Sequence, residues 1–224
     1  MLLAEEAAQT LEEARRYYQA GVEAGERALG PSAFEEYAGH FWGVLETRPY
    51  MRARAGLAQV LWMMDKRQEA IEHLKELLQL NPNDNQGLRY VLLGYLLKVG
   101  ADKAIKDLLD QYEGDLSASW TYSLALWTFR QKGASRDAAA RLKEAIARNR
   151  FVPAYLLGRK KFPQRLPEYI GIGDVNEAIN YAFDSKSLWE ETPGAIDWLR
   201  GGGSDHEIAC RRLIAHHCSW GDGT

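Results

Sequence analysis

Apolar positions in the central hundred residues recur at intervals of three and four, in runs broken by turn-forming residues, and the breaks return every 34 residues. With units starting at Met51, Asn85 and Ser119, position 8 is Ala58, Leu92 and Leu126, position 20 is Ala70, Ala104 and Ala138, and position 24 is Leu74, Leu108 and Leu142. Position 11 holds Leu61, Tyr95 and Phe129, and position 31 holds Asn81, Asp115 and Asn149. Such spacing places the large side chains on one face of a helix. Small residues at the crossing let two helices approach closely, and the polar residue at position 31 ends the unit. The pattern therefore predicts three helix-turn-helix units, 51–84, 85–118 and 119–151. Gly100 and Gly133 are placed to cap the first helices of the second and third units.

The flanks follow other rules. Residues 1–50 read as an N-terminal helical hairpin or cap: a helix over 2–29, interrupted by Gly21, Gly25 and Gly30, then a second from Pro31 to about Thr47. Residues 152–200 read as a connector with capping helices. Pro153, Pro163 and Pro167 with Gly158, Gly171 and Gly173 exclude a continuous helix there. Asp174 followed by Glu177 gives a capping signal for a helix to about Glu190, and a short helix is expected from Pro193 to Leu199. Residues 201–224 are expected to be a flexible hinge, Gly201-Gly202-Gly203-Ser204, and an amphipathic tail helix.

Period and residue sizes together resemble the tetratricopeptide-repeat family over residues 51 to about 150. The run Asn149-Arg-Phe-Val-Pro-Ala-Tyr-Leu-Leu-Gly158, then Gly173-Asp174, Glu177-Ala178-Ile179, Tyr181-Ala182-Phe183, Trp189 and Gly194-Ala195, resembles the C-terminal part of the suppression-of-tumorigenicity seven family. These resemblances imply an all-α, right-handed superhelical solenoid of tetratricopeptide-like repeats with an N-terminal helical cap and a C-terminal helical extension. They imply a protein-interaction scaffold whose first helices line a concave groove. In this register the groove positions are Arg52, Ala55, Gln59 and Trp62, then Gln86, Arg89, Leu93 and Leu96, then Trp120, Ser123, Trp127 and Arg130. Trp and Arg are common at interface hot spots, although the same Trp residues could equally fill the interior of the superhelix. The clamp by which some tetratricopeptide domains hold a terminal carboxylate is absent, since its positions hold Ala55, Gln59 and Tyr90. The resemblance supplies no catalytic residue.

Composition narrows the function classes. Apolar residues make up 46% and charged residues 26% of the 224, which suits a folded core. Net charge is −3, split as −5 over residues 1–50, +4 over 51–150 and −2 over 151–224. Bases and acids alternate along the repeats, as in Lys103, Lys106, Asp107 and Asp110, so no nucleic-acid partner is expected. No apolar run reaches the ~20 residues that cross a bilayer, so membrane location does not carry over and a cytoplasmic protein without a membrane partner is expected. The expected partner is a protein or peptide, with a homo-oligomer as a further possibility. No cofactor or enzyme activity is expected: phosphate-loop and nucleophile-elbow motifs are absent, and adjacent acids such as Glu12-Glu13 diverge on a helix. The alternative is a small metal-dependent regulator or enzyme using His206, Cys210, His216, His217 and Cys218, whose spacing matches no paired zinc framework.

Overall fold

The computed structural model describes residues 8–203, and every regular element among them is helical. In chain order these are α1 (Leu11–Glu36), a 3-10 turn (Phe41–Gly43), α2 (Arg48–Met63), α3 (Arg67–Leu80), α4 (Leu88–Val99) and α5 (Asp102–Gln111). They continue with α6 (Ala118–Lys132), α7 (Arg136–Arg148), α8 (Val152–Leu156), α9 (Val175–Glu191) and α10 (Ala195–Arg200). The chain divides into two compact units, one ending at Asp102 and the other starting at Lys103.

In the first unit α1 starts where Thr10 caps it, the hydroxyl accepting from Glu13 N at 3.2 Å. α1 and α2 run antiparallel and nearly touch: Gly21 faces Ala53, Gly25 faces Tyr50, and Gly56 faces the Tyr18 ring. A Cβ added at Gly25 would lie 2.9 Å from Tyr50 Cβ, so the glycine read as a helix interrupter is a contact point. Gly30 does leave the helical region, φ 69° and ψ 167°, so α1 is two helical segments joined at a kink, the second opening at Pro31 as the sequence predicts.

The predicted helix from Pro31 to Thr47 stops at Glu36. Burying Phe41 against Phe34 and Tyr50, at ring separations of 5.2 and 6.0 Å, requires the chain to turn back. Buried Thr47 fastens that turn through the carbonyls of Phe41 and Val44. α2 therefore starts at Arg48, three residues before the repeat register, with Pro49 in its first turn.

α2 and α3 form an antiparallel hairpin through Asp65, which takes a left-handed conformation at φ 61°. The repeat positions Ala58, Ala70 and Leu74 are fully buried in it. Between α3 and α4 the buried Asp84 carboxylate accepts from Leu88 N at 2.7 Å and Arg89 N at 2.9 Å, supplying the first turn of α4 with acceptors. Gly100, φ 70°, caps the end of α4 as the sequence predicts.

In the second unit Ser117 and Ser135 cap α6 and α7, and Leu126, Ala138, Leu142 and Ala145 are fully buried between these helices. Gly133 ends α6 at φ 63°. The connector holds one short helix, α8, that the sequence pattern did not show. Asp174 caps α9 as predicted, accepting from Glu177 N at 2.8 Å. Gly201 to Gly203 continue α10 as a hydrogen-bonded turn, with Gly203 buried beside Leu142 and Ala139. Ser204 and the tail helix expected over 205–218 lie outside the described residues.

Candidate functional site

Six of the nine predicted partner-binding residues fall in the first unit and three in the second. Arg52 and Gln59 are exposed; Trp62, Gln86, Arg89, Trp127 and Arg130 are half-buried; Leu93 and Trp120 are buried. Trp120 is only 2% exposed and meets the Tyr112 ring edge-on, which makes it a core residue of its unit. Arg130 donates to Thr192 Oγ1 at 2.8 Å and to the Leu188 carbonyl at 3.2 Å, closing the last turn of α9. That position matches a cation to the negative end of a helix. Arg89 pairs with Asp84 at 2.9 Å, lies 4.3 Å over the Tyr90 ring and donates to its hydroxyl. Gln86 Oε1 is buried without a hydrogen-bond donor among the described residues.

The residues that do come together lie along α2. At 100° per residue, Arg48, Arg52, Gln59, Trp62 and Met63 share an arc of about 100° and span about 22 Å. Tyr50, Leu57 and Leu61 on the opposite side are buried. Arg48 Nε donates to the Trp42 carbonyl at 2.9 Å, and both Arg48 and Arg52 place their guanidinium carbon 5.4 Å from the Trp42 ring. Neither forms an ion pair with a carboxylate among the described residues. At the far end of the stripe the Trp62 ring lies flat on Tyr95 at 3.7 Å, with Arg67 5.6 Å over the same ring and Met63 66% exposed. Arg67 is already paired with Asp65 at 2.6 Å. Trp42 and Arg48 were missed from sequence because they precede the repeat register, and Met63 because it sits one residue past the groove position.

On the neighbouring face of this hairpin, Arg54 reaches three partners: Tyr50 Oη at 2.5 Å, His73 Nδ1 at 3.1 Å, and Glu76. Burial, and then the Arg54 charge, hold the His73 pKa below its ordinary value. No group of three or more His, Cys, Asp or Glu side chains able to hold a metal occurs among the described residues. The Cys/His cluster of the tail lies outside them.

No known family model matches the chain, and no solved structure matches it. Along its whole length it is similar to curated proteins named suppressor of tumorigenicity 7. The protein of Macaca fascicularis is 26% identical over 248 residues, covering 100% of this chain and 42% of the relative. Those of Rattus norvegicus and Mus musculus are also 26% identical, with 39% of their length covered. The chain thus spans about two fifths of the curated relatives it matches, and its likeness to them extends through residues 1–50, outside the segments in which the sequence motifs lie.

Proposed function

We propose that the chain is a non-enzymatic scaffold of tetratricopeptide-like hairpins, acting in the cytoplasm, that holds a helix or extended peptide of a partner protein along the exposed stripe of α2. The observation that carries this reading is the pair of guanidiniums, Arg48 and Arg52, stacked on Trp42 with no carboxylate among the described residues to neutralise them. Two cations fixed on an aromatic ring have lost side-chain freedom before any partner arrives, so an acidic group meeting them has less ordering to supply. The other end of the stripe offers Met63 and the edge of the Trp62–Tyr95 stack, an apolar contact of the adaptable and aromatic kind found at interface centres. The preferred partner segment is therefore acidic at one end and apolar about 20 Å away, a separation one helix of some 14 residues provides.

Proximity labelling with the full chain, compared with a variant carrying Arg52→Glu and Met63→Asp, tests this. Both positions are exposed, so the helical circular dichroism is expected to persist. A partner's acidic segment, made as a peptide, is expected to bind the original protein in calorimetry and to lose more than about tenfold in affinity to the variant. It is also expected to weaken as salt rises. An identical set of labelled proteins for both chains would rule out the α2 stripe.

A further inference from the structure

The connector between α8 and α9 is both strongly basic and rich in exposed apolar side chains. Arg159, Lys160, Lys161 and Arg165 are exposed, share the stretch 159–172 with a single acid, Glu168, and form no ion pair among the described residues. Within the same stretch Leu166 is 40%, Ile170 56%, Ile172 78% and Tyr169 83% exposed. Apolar side chains concentrated in this way mark a contact surface.

The backbone that presents them is tied down. Phe162 stacks on Tyr155 and meets Phe183 edge-on, each at 5.7 Å. Lys160 N donates to the Ala154 carbonyl at 2.9 Å, Asn176 Nδ2 to the Tyr169 carbonyl at 3.0 Å, and Gly171 N to Asp174 Oδ2 at 2.9 Å. The loop therefore holds its apolar side chains out in water on a fixed base, and little ordering remains for a contact to impose.

We propose that this connector docks the second unit onto an anionic lipid surface, with Tyr169, Ile170 and Ile172 entering the headgroup boundary and the four cations meeting lipid phosphates and carboxylates. Two features favour lipid over a protein face. Tyr169 and Ile172 project most of their surface, and Ile170 more than half, which suits entry into a soft apolar phase. Among the described residues the cations are held in no fixed hydrogen-bonded geometry, and Lys160 Nζ lies 5.9 Å over the Tyr155 ring. A lipid surface reads summed charge rather than the placement of single hydrogen bonds. A basic cluster and an apolar insertion are the two signals that stable surface attachment needs, and neither requires a spanning helix. No helix among the described residues is long and apolar enough to cross a membrane, and a surface contact of this kind departs from the expectation of no membrane partner.

Sedimentation of the full chain with vesicles of phosphatidylcholine alone, or of phosphatidylcholine mixed with phosphatidylserine, tests the proposal. Binding is expected only to the mixed vesicles and is expected to fall as sodium chloride is raised. Changing Arg159, Lys160, Lys161 and Arg165 together to Gln should lower the partition coefficient by about fivefold per cation. Changing Tyr169, Ile170 and Ile172 together to Ser should lower it by more than about tenfold. All these side chains are exposed, so both variants are expected to keep the circular dichroism of the original. A chain that stays in the supernatant with mixed vesicles overturns the proposal and leaves the loop to an acidic protein face. Equal binding to both vesicle types, or unchanged binding by the Gln variant, overturns it as well.

Discussion

The two units solve the same problem, burying helix faces around a narrow core, with polar groups used at different ranges. In the first unit the buried side chains of Thr47 and Asp84 bond close by along the chain: Thr47 to the carbonyls of Phe41 and Val44, Asp84 to Leu88 N and Arg89 N. The side-chain link from Arg54 to His73 and Glu76 stays inside one hairpin and opens toward solvent, and the reach beyond it is made by backbone, Gly39 N donating to the Leu80 carbonyl at 3.0 Å. In the second unit the buried groups reach across the chain. Glu177 accepts from Ala118 N, 59 residues away, and from Asn149 Nδ2, 28 away, both at 2.8 Å. Tyr122 Oη donates to the Asn149 carbonyl at 2.7 Å, and Arg130 ties Thr192 across 62 residues. Burial pushes the Tyr181 phenol up to about 12, so its hydroxyl stays neutral as it accepts from Trp189 Nε1 at 2.9 Å. The first unit is thus specified mainly by shape, and the second by polar side-chain bonds that only one arrangement of α6, the end of α7 and α9 satisfies.

Removing the centre of that polar arrangement should produce the largest effect. Glu177→Ala leaves Ala118 N, Gly173 N and Asn149 Nδ2 without their acceptor in a buried site. The expected cost is about 3–5 kcal/mol, read from urea unfolding. Glu177→Gln keeps one acceptor oxygen and should cost less. If Glu177→Ala cost under about 1 kcal/mol, the second unit would be held by shape as the first is, and the contrast would fail.

The first unit is tested by one substitution made at two glycines. Gly25→Ala places a methyl 2.9 Å from Tyr50 Cβ and 3.3 Å from its Cα, backbone that can yield only by spreading α1 from α2. Overpacking of about 1–3 kcal/mol outweighs the gain of up to about 1 kcal/mol that alanine brings to a helix interior. A net destabilisation of about 1–2 kcal/mol is expected by thermal and urea unfolding. Gly94, inside α4, has nothing within 4 Å of an added Cβ, so Gly94→Ala should stabilise by about 0.5–1 kcal/mol. Effects of the same sign at both positions would show that close approach does not determine the α1–α2 contact.

A milder probe of the second unit is Tyr122→Phe, which leaves the ring packed against Tyr181 and Trp189 and deletes only the bond to the Asn149 carbonyl. About 1 kcal/mol is expected in a urea titration. No change would mean that this carbonyl finds another donor.

What the sequence revealed follows the same division. Local regularities were legible: the 34-residue spacing located the hairpin cores, where Ala58, Leu74, Leu126, Ala138 and Leu142 are buried, and Asp174 announced the start of α9. Effects that depend on a partner far along the chain were not. Glu177 reads as a capping-box acid, yet its carboxylate binds residues of α6 and of the α7 terminus. Gly21 and Gly25 read as breaks, because a glycine chosen for a neighbour's approach looks the same as one chosen for a turn. Among the groove positions, periodicity identified which side chains share a helix face, but not that Trp120 is covered or that Arg130 closes a later helix. Arg48 and Trp42 gained their role from a helix start three residues earlier than the register implied.

The smallest expected effect is a pH dependence placed in the first unit. His73 Nδ1 accepts from Arg54 Nε at 3.1 Å, a bond that requires the ring nitrogen to be unprotonated. Burial, and secondarily the Arg54 charge, lower its pKa, while Glu69 and Glu72 pull weakly the other way. Because the folded value lies below the unfolded value of 6.5, the unfolded chain takes up the proton first as pH falls. The His73 contribution is therefore complete above about pH 6.5 and declines steadily below it until the folded pKa is passed. Urea midpoints measured from pH 7.5 down to 5 should fall for the original protein and change less for His73→Gln, since most carboxylates titrate below that window. Parallel curves for the two proteins would show that Arg54 is held by Tyr50 and Glu76 alone, and that the His73 bond adds nothing to the hairpin.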